Sequence, residues 1–324
     1  MTKSNVTPTL NFVNCPDAVS SHRMAYWQWG NPASEHVVVC VHGLSRQGRD
    51  FDVLAQVLCD QSAQLPGGVR IVCPDVVGRG ESDWLSDPMG YQIPLYVADM
   101  LALLAHLQSE APVTTLDWVG TSMGGLIGLV VCEQLRALHA PGGSAAMHAS
   151  SVKAIPYPRK LVLNDVGPAI QWQAILRIGS YLGQAGHFIT LKDAADTMWA
   201  ISSGFGPHTP EQWLALSHYM VRPVSAHDTK LRLHYDPAIA VPFKQANEAS
   251  TREGEAMLWH IYDHITAQTL LLRGASSDLL SLETAHAMTQ RGPRARLVEF
   301  SGVGHAPTII ADDQVAVVSG FLLN

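Results

Sequence analysis

Short runs of apolar residues recur along the chain, and most of them are bounded by turn-forming residues. Runs of about four to eight such residues are typical of strands that are buried on both faces of a mostly parallel sheet. The pattern predicts seven strands, at Met24–Trp29, Val37–His42, Val69–Pro74, Thr115–Gly120, Lys160–Asn164, Thr269–Arg273 and Ala295–Phe300.

Apolar residues at helical spacing occupy many of the intervals between these strands. They predict four helices, at Phe51–Asp60, Pro94–Leu107, Met123–Leu138 and Asp313–Leu323. Alternating strands and helices are typical of a doubly wound α/β sheet with right-handed crossovers. One interruption, residues 140–158, is rich in Ala, Ser, Gly and Pro and predicts a surface excursion.

A longer interruption, residues 168–260, contains helical patterns and several aromatic residues but no clear strand. It predicts a helical cap over the carboxyl edge of the sheet, where open α/β sheets bind their ligands. The predicted division is therefore a core of residues 1–167 and 261–324, and a cap of residues 168–260. Trp172 and Trp199 are candidate substrate contacts in the cap, although aromatic residues at helical spacing belong more often to the packing.

The segment Gly120-Thr121-Ser122-Met123-Gly124 fits the pattern G-x-S-x-G. A predicted strand precedes it and a predicted apolar helix follows it. This junction forces the serine into a strained turn that exposes its Oγ, and the glycines remove Cβ atoms that would clash. We therefore predict that Ser122 is a nucleophile; the alternative is a glycine-rich turn that serves packing only.

The strand Val37–His42 runs directly into Gly43 and Leu44. A glycine at the end of a strand lets the next amides face a ligand. We predict that the N–H groups of Leu44 and Met123 form an oxyanion hole. His42 and Gly43 are further candidate substrate contacts, and local hydrogen bonds that hold the loop are the alternative for His42.

Arg46 follows closely and is a candidate for binding a substrate carboxylate. Pairing with Asp50 is the simpler alternative for this arginine. The nearby Asp75 and Ser82 lie in a tight loop after a strand, and we expect them to hold that loop in place.

A catalytic serine needs a base and a carboxylate that orients the base. His305 follows the predicted strand Ala295–Phe300 in a glycine-rich loop, in the order Ser, Asp, His. Two aspartates compete for the third role. We favour Asp278, which lies just past the strand Thr269–Arg273, and keep Asp165, which directly follows the strand Lys160–Asn164, as the alternative.

Composition limits the possible partners. The chain has 324 residues, with 21 Lys and Arg against 28 Asp and Glu, and its net charge of −7 disfavours nucleic acid or anionic lipid. No apolar run is long enough to span a membrane, and the polar N-terminus does not resemble a signal peptide. Five cysteines, mostly in apolar segments, indicate a reducing compartment and no zinc framework. We expect a cytoplasmic monomer or homodimer without cofactor or metal.

The chain resembles the α/β-hydrolase superfamily over nearly its whole length, and most of all the branch of bacterial serine esterases and C–C-bond hydrolases. The resemblance implies a doubly wound, mostly parallel sheet with a helical cap inserted after the sixth strand. It also supports Asp278, because the loop that carries it is the usual acid position of the fold. The residues that carry the resemblance are His42-Gly43, Asp75 to Ser82, Gly120 to Gly125, Asn164 to Pro168, Asp278 and Gly304-His305.

Departures from related enzymes narrow the choice of reaction. Epoxide hydrolases and haloalkane dehalogenases carry an aspartate where this chain has Ser122. Meta-cleavage-product hydrolases resemble Gly-Asn-Ser-Met-Gly-Gly and place a tryptophan shortly after the histidine; here Thr121 replaces the asparagine and residues 306–310 contain no aromatic. Proline iminopeptidases usually have a tryptophan where this chain has Met123.

We therefore predict a serine hydrolase that cleaves a small to medium carboxylic ester through an acyl-enzyme. The same residues could serve C–C-bond hydrolysis of a meta-cleavage product or the opening of an enol lactone. A more distant alternative is a receptor that binds a small molecule without turning it over.

Overall fold

The structure is a computed structural model that describes residues 7–16, 21–140, 154–184, 186–225 and 228–324. Residues 141–153, most of the predicted surface excursion, lie outside the described residues.

An eight-stranded sheet forms the centre of the fold, in the order β1-β2-β4-β3-β5-β6-β10-β11. Strands β1 and β2 run antiparallel to their neighbours, and the other six are parallel. The predicted α/β class is confirmed, and all seven predicted strands are present. The strands are β1 Thr9–Pro16, β2 Ser21–Gly30, β3 His36–Val41, β4 Arg70–Pro74, β5 Thr115–Thr121, β6 Lys160–Asn164, β10 Gln268–Gly274 and β11 Arg296–Phe300.

The prediction missed β1. This strand pairs only with β2, at the edge of the sheet, and most of its side chains are exposed. An edge strand of this kind contains no continuous apolar run, so the pattern that identified the other strands is absent from it.

Ten α-helices lie in the described part of the chain, and those of the core cover both faces of the sheet. On β3, Val37, Val39 and Val41 join the apolar cluster that includes residues of α2 and α3, whereas Val38 and Cys40 join the cluster under α1 and α10. The helices are α1 Asp52–Ser62, α2 Ile93–Glu110, α3 Met123–His139, α4 Trp172–Tyr181, α5 Leu191–Ser202, α6 Pro210–His218, α7 Ala240–Gln245, α8 Glu248–Asp263, α9 Leu282–Gln290 and α10 Asp312–Leu323.

The segment after β6 contains helices, as expected, but it is not wholly helical. Three short strands, β7 His187–Phe188, β8 Val221–Pro223 and β9 Leu231–Leu233, form a small antiparallel sheet in the order β7-β9-β8. Strands of two or three residues are too short to produce a readable alternation. The segment therefore contains a small sheet, which the sequence did not reveal, in addition to the predicted helices.

Helix α8 crosses the predicted boundary at residue 260. Its last turn buries Ile261 and Tyr262 in the same apolar cluster as α3 of the core. The end of this helix thus packs with the core, and the rest of the domain division stays a prediction.

Candidate active site

The turn at Ser122 joins β5 to α3 and strains the backbone. Ser122 has φ 51° and ψ −117°, a conformation that non-glycine residues rarely adopt. A Cβ at Gly120 would lie 2.3 Å from the carbonyl oxygen of Gly124, and one at Gly124 would lie 2.0 Å from that of Val41. The two glycines therefore permit the close approach of helix and strand that presents the serine.

His305 lies beside this serine, in the loop between β11 and α10. Its Nε2 is 3.0 Å from Ser122 Oγ, and its Nδ1 is 2.8 Å from Oδ2 of Asp165. Because an ionised carboxylate can only accept a hydrogen bond, Nδ1 carries the hydrogen and Nε2 is free to accept the serine proton. The three side chains form one hydrogen-bonded sequence.

Asp165 is fully buried and held rigidly. It directly follows β6 with φ 56°, and its Oδ1 accepts a hydrogen bond of 2.8 Å from the N–H of Gly274. Its Oδ2 accepts a further hydrogen bond from the Ser277 hydroxyl, in addition to the one from His305. Three donors therefore fix the carboxylate and the imidazole that it orients.

Asp278 occupies a different position, and the preference for it as the partner of His305 is wrong. Its side chain is 50% exposed and forms a bidentate ion pair with Arg177 of α4, at 2.6 and 3.0 Å. The loop after β10 carries Asp278 outward to the cap, and Ser277 of the same loop donates to Asp165 instead. The alternative, Asp165, is the residue that contacts the imidazole.

The residues predicted to form the oxyanion hole flank the serine. Gly43, Leu44 and Ser122 line one cavity, and Met123 is the first residue of α3. The backbone N–H groups of Leu44 and Met123 have no hydrogen-bond partner among the described residues. Both amides therefore have the capacity to donate to an oxyanion.

His42 is a structural residue of the adjoining loop. Its Nδ1 donates to the carbonyl of Gly43 at 2.7 Å, and its Nε2 accepts from the N–H of Val76 at 2.9 Å. Burial lowers the pKa of His42 to about 3, so the ring is neutral. These local hydrogen bonds support the alternative, in which His42 holds the loop and does not contact the substrate.

The loop after β4 is held as the sequence predicts. Asp75 accepts hydrogen bonds from the N–H groups of Gly48 and Glu81, and the hydroxyl of Ser82 donates to the Asp75 carbonyl. This network holds the loops after β3 and β4 against each other.

The active-site cavity has a volume of about 290 Å³ and extends from the serine into the cap. Its walls are mostly apolar, and its polar residues include Arg46 and Arg177. Arg46 forms a bidentate pair with Asp50, as the alternative for this arginine anticipated. The apolar wall from the cap consists of Ile178, Phe188, Met198, Ile201, Phe205, Met220 and Leu233.

The aromatic candidates Trp172 and Trp199 do not belong to the described wall of this cavity. Trp199 packs edge-on against Trp213 and His208, at centroid distances of 5.0 and 6.2 Å. The prediction that Trp172 and Trp199 contact the substrate is therefore wrong for this cavity. Trp199 is a packing residue, which was the alternative. The sequence analysis did not identify Arg177 and Tyr181, which face the cavity one helical turn apart on α4.

One group among the described residues has the composition of a metal site. The potential ligand atoms of Cys15, His22 and Asp99 lie within 4.8 Å of one another in the core. Burial and the neighbouring Asp99 raise the pKa of the Cys15 thiol, which disfavours the thiolate that binds metals. Because none of the three lines the active-site cavity, this group takes no part in the chemistry described below.

Comparisons with known proteins identify the family of the chain. The chain matches the Alpha/beta hydrolase family over residues 38–319. It is 44% identical over 318 residues to a 3-hydroxybutyrate-oligomer hydrolase from Cupriavidus necator, covering 98% of either chain. The chain belongs to the α/β hydrolase family.

Solved structures support the same assignment. An alpha/beta hydrolase from Novosphingobium aromaticivorans superimposes with a TM-score of 0.76 at 29% identity, over 97% of this chain and 98% of that one. An esterase from Exiguobacterium antarcticum, 19% identical, superimposes with a TM-score of 0.60 over 97% of this chain and 99% of that one, and shares the fold. The prediction that the chain is a hydrolase is therefore confirmed.

Proposed function

We propose that the chain hydrolyses carboxylic esters, with Ser122 as nucleophile, His305 as general base and Asp165 as the residue that orients it. The hydrogen-bonded sequence from Asp165 through His305 to Ser122 carries this proposal. A serine hydroxyl is a weak nucleophile by itself, and an adjacent imidazole activates it by accepting its proton.

The reaction proceeds in two halves. Ser122 Oγ attacks the ester carbonyl while its proton moves to His305 Nε2, and the Leu44 and Met123 N–H groups stabilise the oxyanion. His305 then gives that proton to the leaving alcohol. Water, activated by the same imidazole, hydrolyses the acyl-enzyme and regenerates the serine.

We propose oligomers of 3-hydroxybutyrate, or closely related hydroxy-acid esters, as the substrate class. The Cupriavidus relative is named for such oligomers and covers the whole chain at 44% identity. A mostly apolar cavity of about 290 Å³ fits the short aliphatic units of such an ester. The cytoplasmic location and a monomeric or dimeric state stay predictions.

The test is hydrolysis of the 3-hydroxybutyrate dimer and trimer, and of p-nitrophenyl butyrate, by the wild type and by Ser122→Ala. Released 3-hydroxybutyrate and p-nitrophenol are measured. We expect turnover by the wild type and a loss of about 10⁶ in the variant, because the hydroxyl that attacks the carbonyl is removed.

Ser109→Ala is the matched control, since Ser109 is exposed and its hydroxyl, among the described residues, only donates to the backbone carbonyl of His106 in α2. This variant should behave as the wild type does. Hydrolysis by Ser122→Ala at the wild-type rate would contradict the assigned nucleophile. Turnover of p-nitrophenyl butyrate without release of 3-hydroxybutyrate would retain the esterase and reject the substrate class.

A further inference from the structure

Two arginines lie directly opposite each other in the small cap sheet. Arg222 of β8 pairs with Arg232 of β9, so both side chains leave the sheet on the same face. Like charges at directly opposed positions are unfavourable. Both guanidinium groups lie against Trp84, at 5.0 and 4.9 Å from its ring centroid.

This cluster has donors but no acceptors. Neither arginine side chain forms an ion pair or hydrogen bond with another described residue, and Nε of each is buried without a partner. Nε1 of Trp84 is also buried and unpartnered. Because buried polar groups nearly always have partners, these three N–H groups require acceptors that the described residues do not supply.

One carboxylate, that of Glu81, lies in the same cavity as Arg222. Burial and the neighbouring Arg232 lower the pKa of Arg222, and Glu81 opposes that shift. Glu81 itself lies 3.8 Å from Nε2 of His234 and forms no ion pair with either arginine. Two cations beside an aromatic face favour an anion as the bound group.

The cluster adjoins the active site. Trp84 and Arg232 line a neighbouring cavity of about 110 Å³, whereas Arg222 lines another cavity, together with Glu81 and His234. The cavity lined by Trp84 and Arg232 shares four lining residues with the active-site cavity: Gln184, Gly186, Leu233 and Tyr235. A substrate bound at Ser122 and longer than the active-site cavity would have to pass this shared wall to reach Arg232.

We propose that Arg232, Arg222 and Trp84 form a subsite for the free carboxylate of a hydroxy-acid oligomer whose scissile ester lies at Ser122. The inference rests on the proposed function and extends it, because such a subsite would let the enzyme distinguish an oligomeric acid from a neutral ester. An oligomer of hydroxy acids carries one carboxylate, at one end, and uncharged esters elsewhere. A carboxylate offers two oxygens to guanidinium donors.

The experiment compares three substrates: the 3-hydroxybutyrate trimer as free acid, its methyl ester, and p-nitrophenyl butyrate. The enzymes are the wild type, Arg232→Gln, Arg222→Gln and Arg232→Lys. For the free acid we expect KM to rise about tenfold in either glutamine variant, the loss typical of a hydrogen bond to a charged group. Arg232→Lys keeps the positive charge but lacks the planar guanidinium that can bind both carboxylate oxygens. Its KM should lie between those of the wild type and Arg232→Gln. The two neutral substrates should be hydrolysed as by the wild type.

The control is Arg252→Gln, which removes an exposed arginine of α8 that pairs only with Glu248 among the described residues. It should leave the KM for all three substrates unchanged. An equal rise for the acid and its methyl ester in the Arg232 and Arg222 variants would assign the arginines a packing role and overturn the subsite.

Two further results separate the alternatives. If inorganic phosphate changes the hydrolysis of p-nitrophenyl butyrate in the wild type but not in Arg232→Gln, the cluster binds a free anion and the substrate-end assignment is overturned. If the wild type hydrolyses none of the three substrates, the proposed function itself fails. That result is distinct from a wild type that is active but does not discriminate between acid and methyl ester, which overturns the subsite alone.

Discussion

Asp165 and Asp278 each follow a strand of the sheet, but their surroundings differ. Asp165 is fully buried and accepts hydrogen bonds from a backbone amide, a hydroxyl and the His305 imidazole. Asp278 is half exposed and pairs with Arg177. Only a carboxylate fixed against Nδ1 can hold the histidine in the tautomer that accepts the serine proton.

At Asp165, replacement by Asn should lower kcat on p-nitrophenyl butyrate by about 10⁴, because the amide can donate to Nδ1 and so favour the wrong tautomer. Steady-state kinetics at neutral pH measure the effect.

The matched variant Asp278→Asn keeps the size of the side chain and removes an exposed charge. We expect its kcat to fall less than about tenfold, since solvent-exposed ion pairs contribute little free energy. The reverse ranking of the two variants would return the orienting role to Asp278.

At the scale of the element, the active site depends on how closely α3 approaches the sheet. The strained Ser122 lies between β5 and α3, and Gly124 in the first turn of α3 packs against the backbone of β3. Any side chain at this position must displace backbone atoms, because no flexible side chain is available to move aside.

Gly124→Ala should therefore lower the free energy of unfolding by about 1–3 kcal/mol, although alanine is the better helix former. We also expect a lower kcat, since the helix start carries the Met123 amide. Urea unfolding and ester kinetics give the two values.

The control is Gly254→Ala in α8, where an added Cβ would meet nothing within 4 Å. Here only the helix propensity changes, and we expect a gain of about 0.5–1 kcal/mol. Equal effects at positions 124 and 254 would argue against the packing explanation.

At the scale of the whole molecule, buried groups couple stability to pH. His42 is fully buried and neutral, with a pKa lowered to about 3 against about 6.5 in an unfolded chain. Between these two values the unfolded state binds the additional proton. The contribution of His42 is therefore complete above about pH 6.5 and is lost as the pH falls toward 3.

His42→Gln removes this contribution and should flatten the pH dependence of stability. Between pH 6.5 and 5.0 the wild type should lose about 2 kcal/mol more than the variant, at 1.36 kcal/mol for each pH unit. Urea unfolding at both pH values gives the difference. Identical losses would show that His42 does not titrate on unfolding.

Membrane insertion is a further question at this scale. No helix in the described part of the chain is both long and apolar enough to cross a bilayer.

The sequence by itself determined seven of the eight strands of the main sheet, four of the core helices, and Ser122 and His305 as candidate residues. Apolar runs, helical spacing and the G-x-S-x-G turn are local features, because a few consecutive residues produce each of them. The order of strands along the chain also indicated that a histidine after the last strand could reach the serine.

Only the tertiary structure showed which of the two aspartates contacts His305. It alone also gave the composition of the cavity wall and the position of the paired arginines. Asp165 contacts His305 because β6 lies between β5 and β10, whereas Asp278 lies at the surface and pairs with Arg177. Arg222 and Arg232 meet because two three-residue strands pair, and such short strands leave no readable pattern. These choices depend on packing between segments that are distant in the chain, which local patterns do not encode.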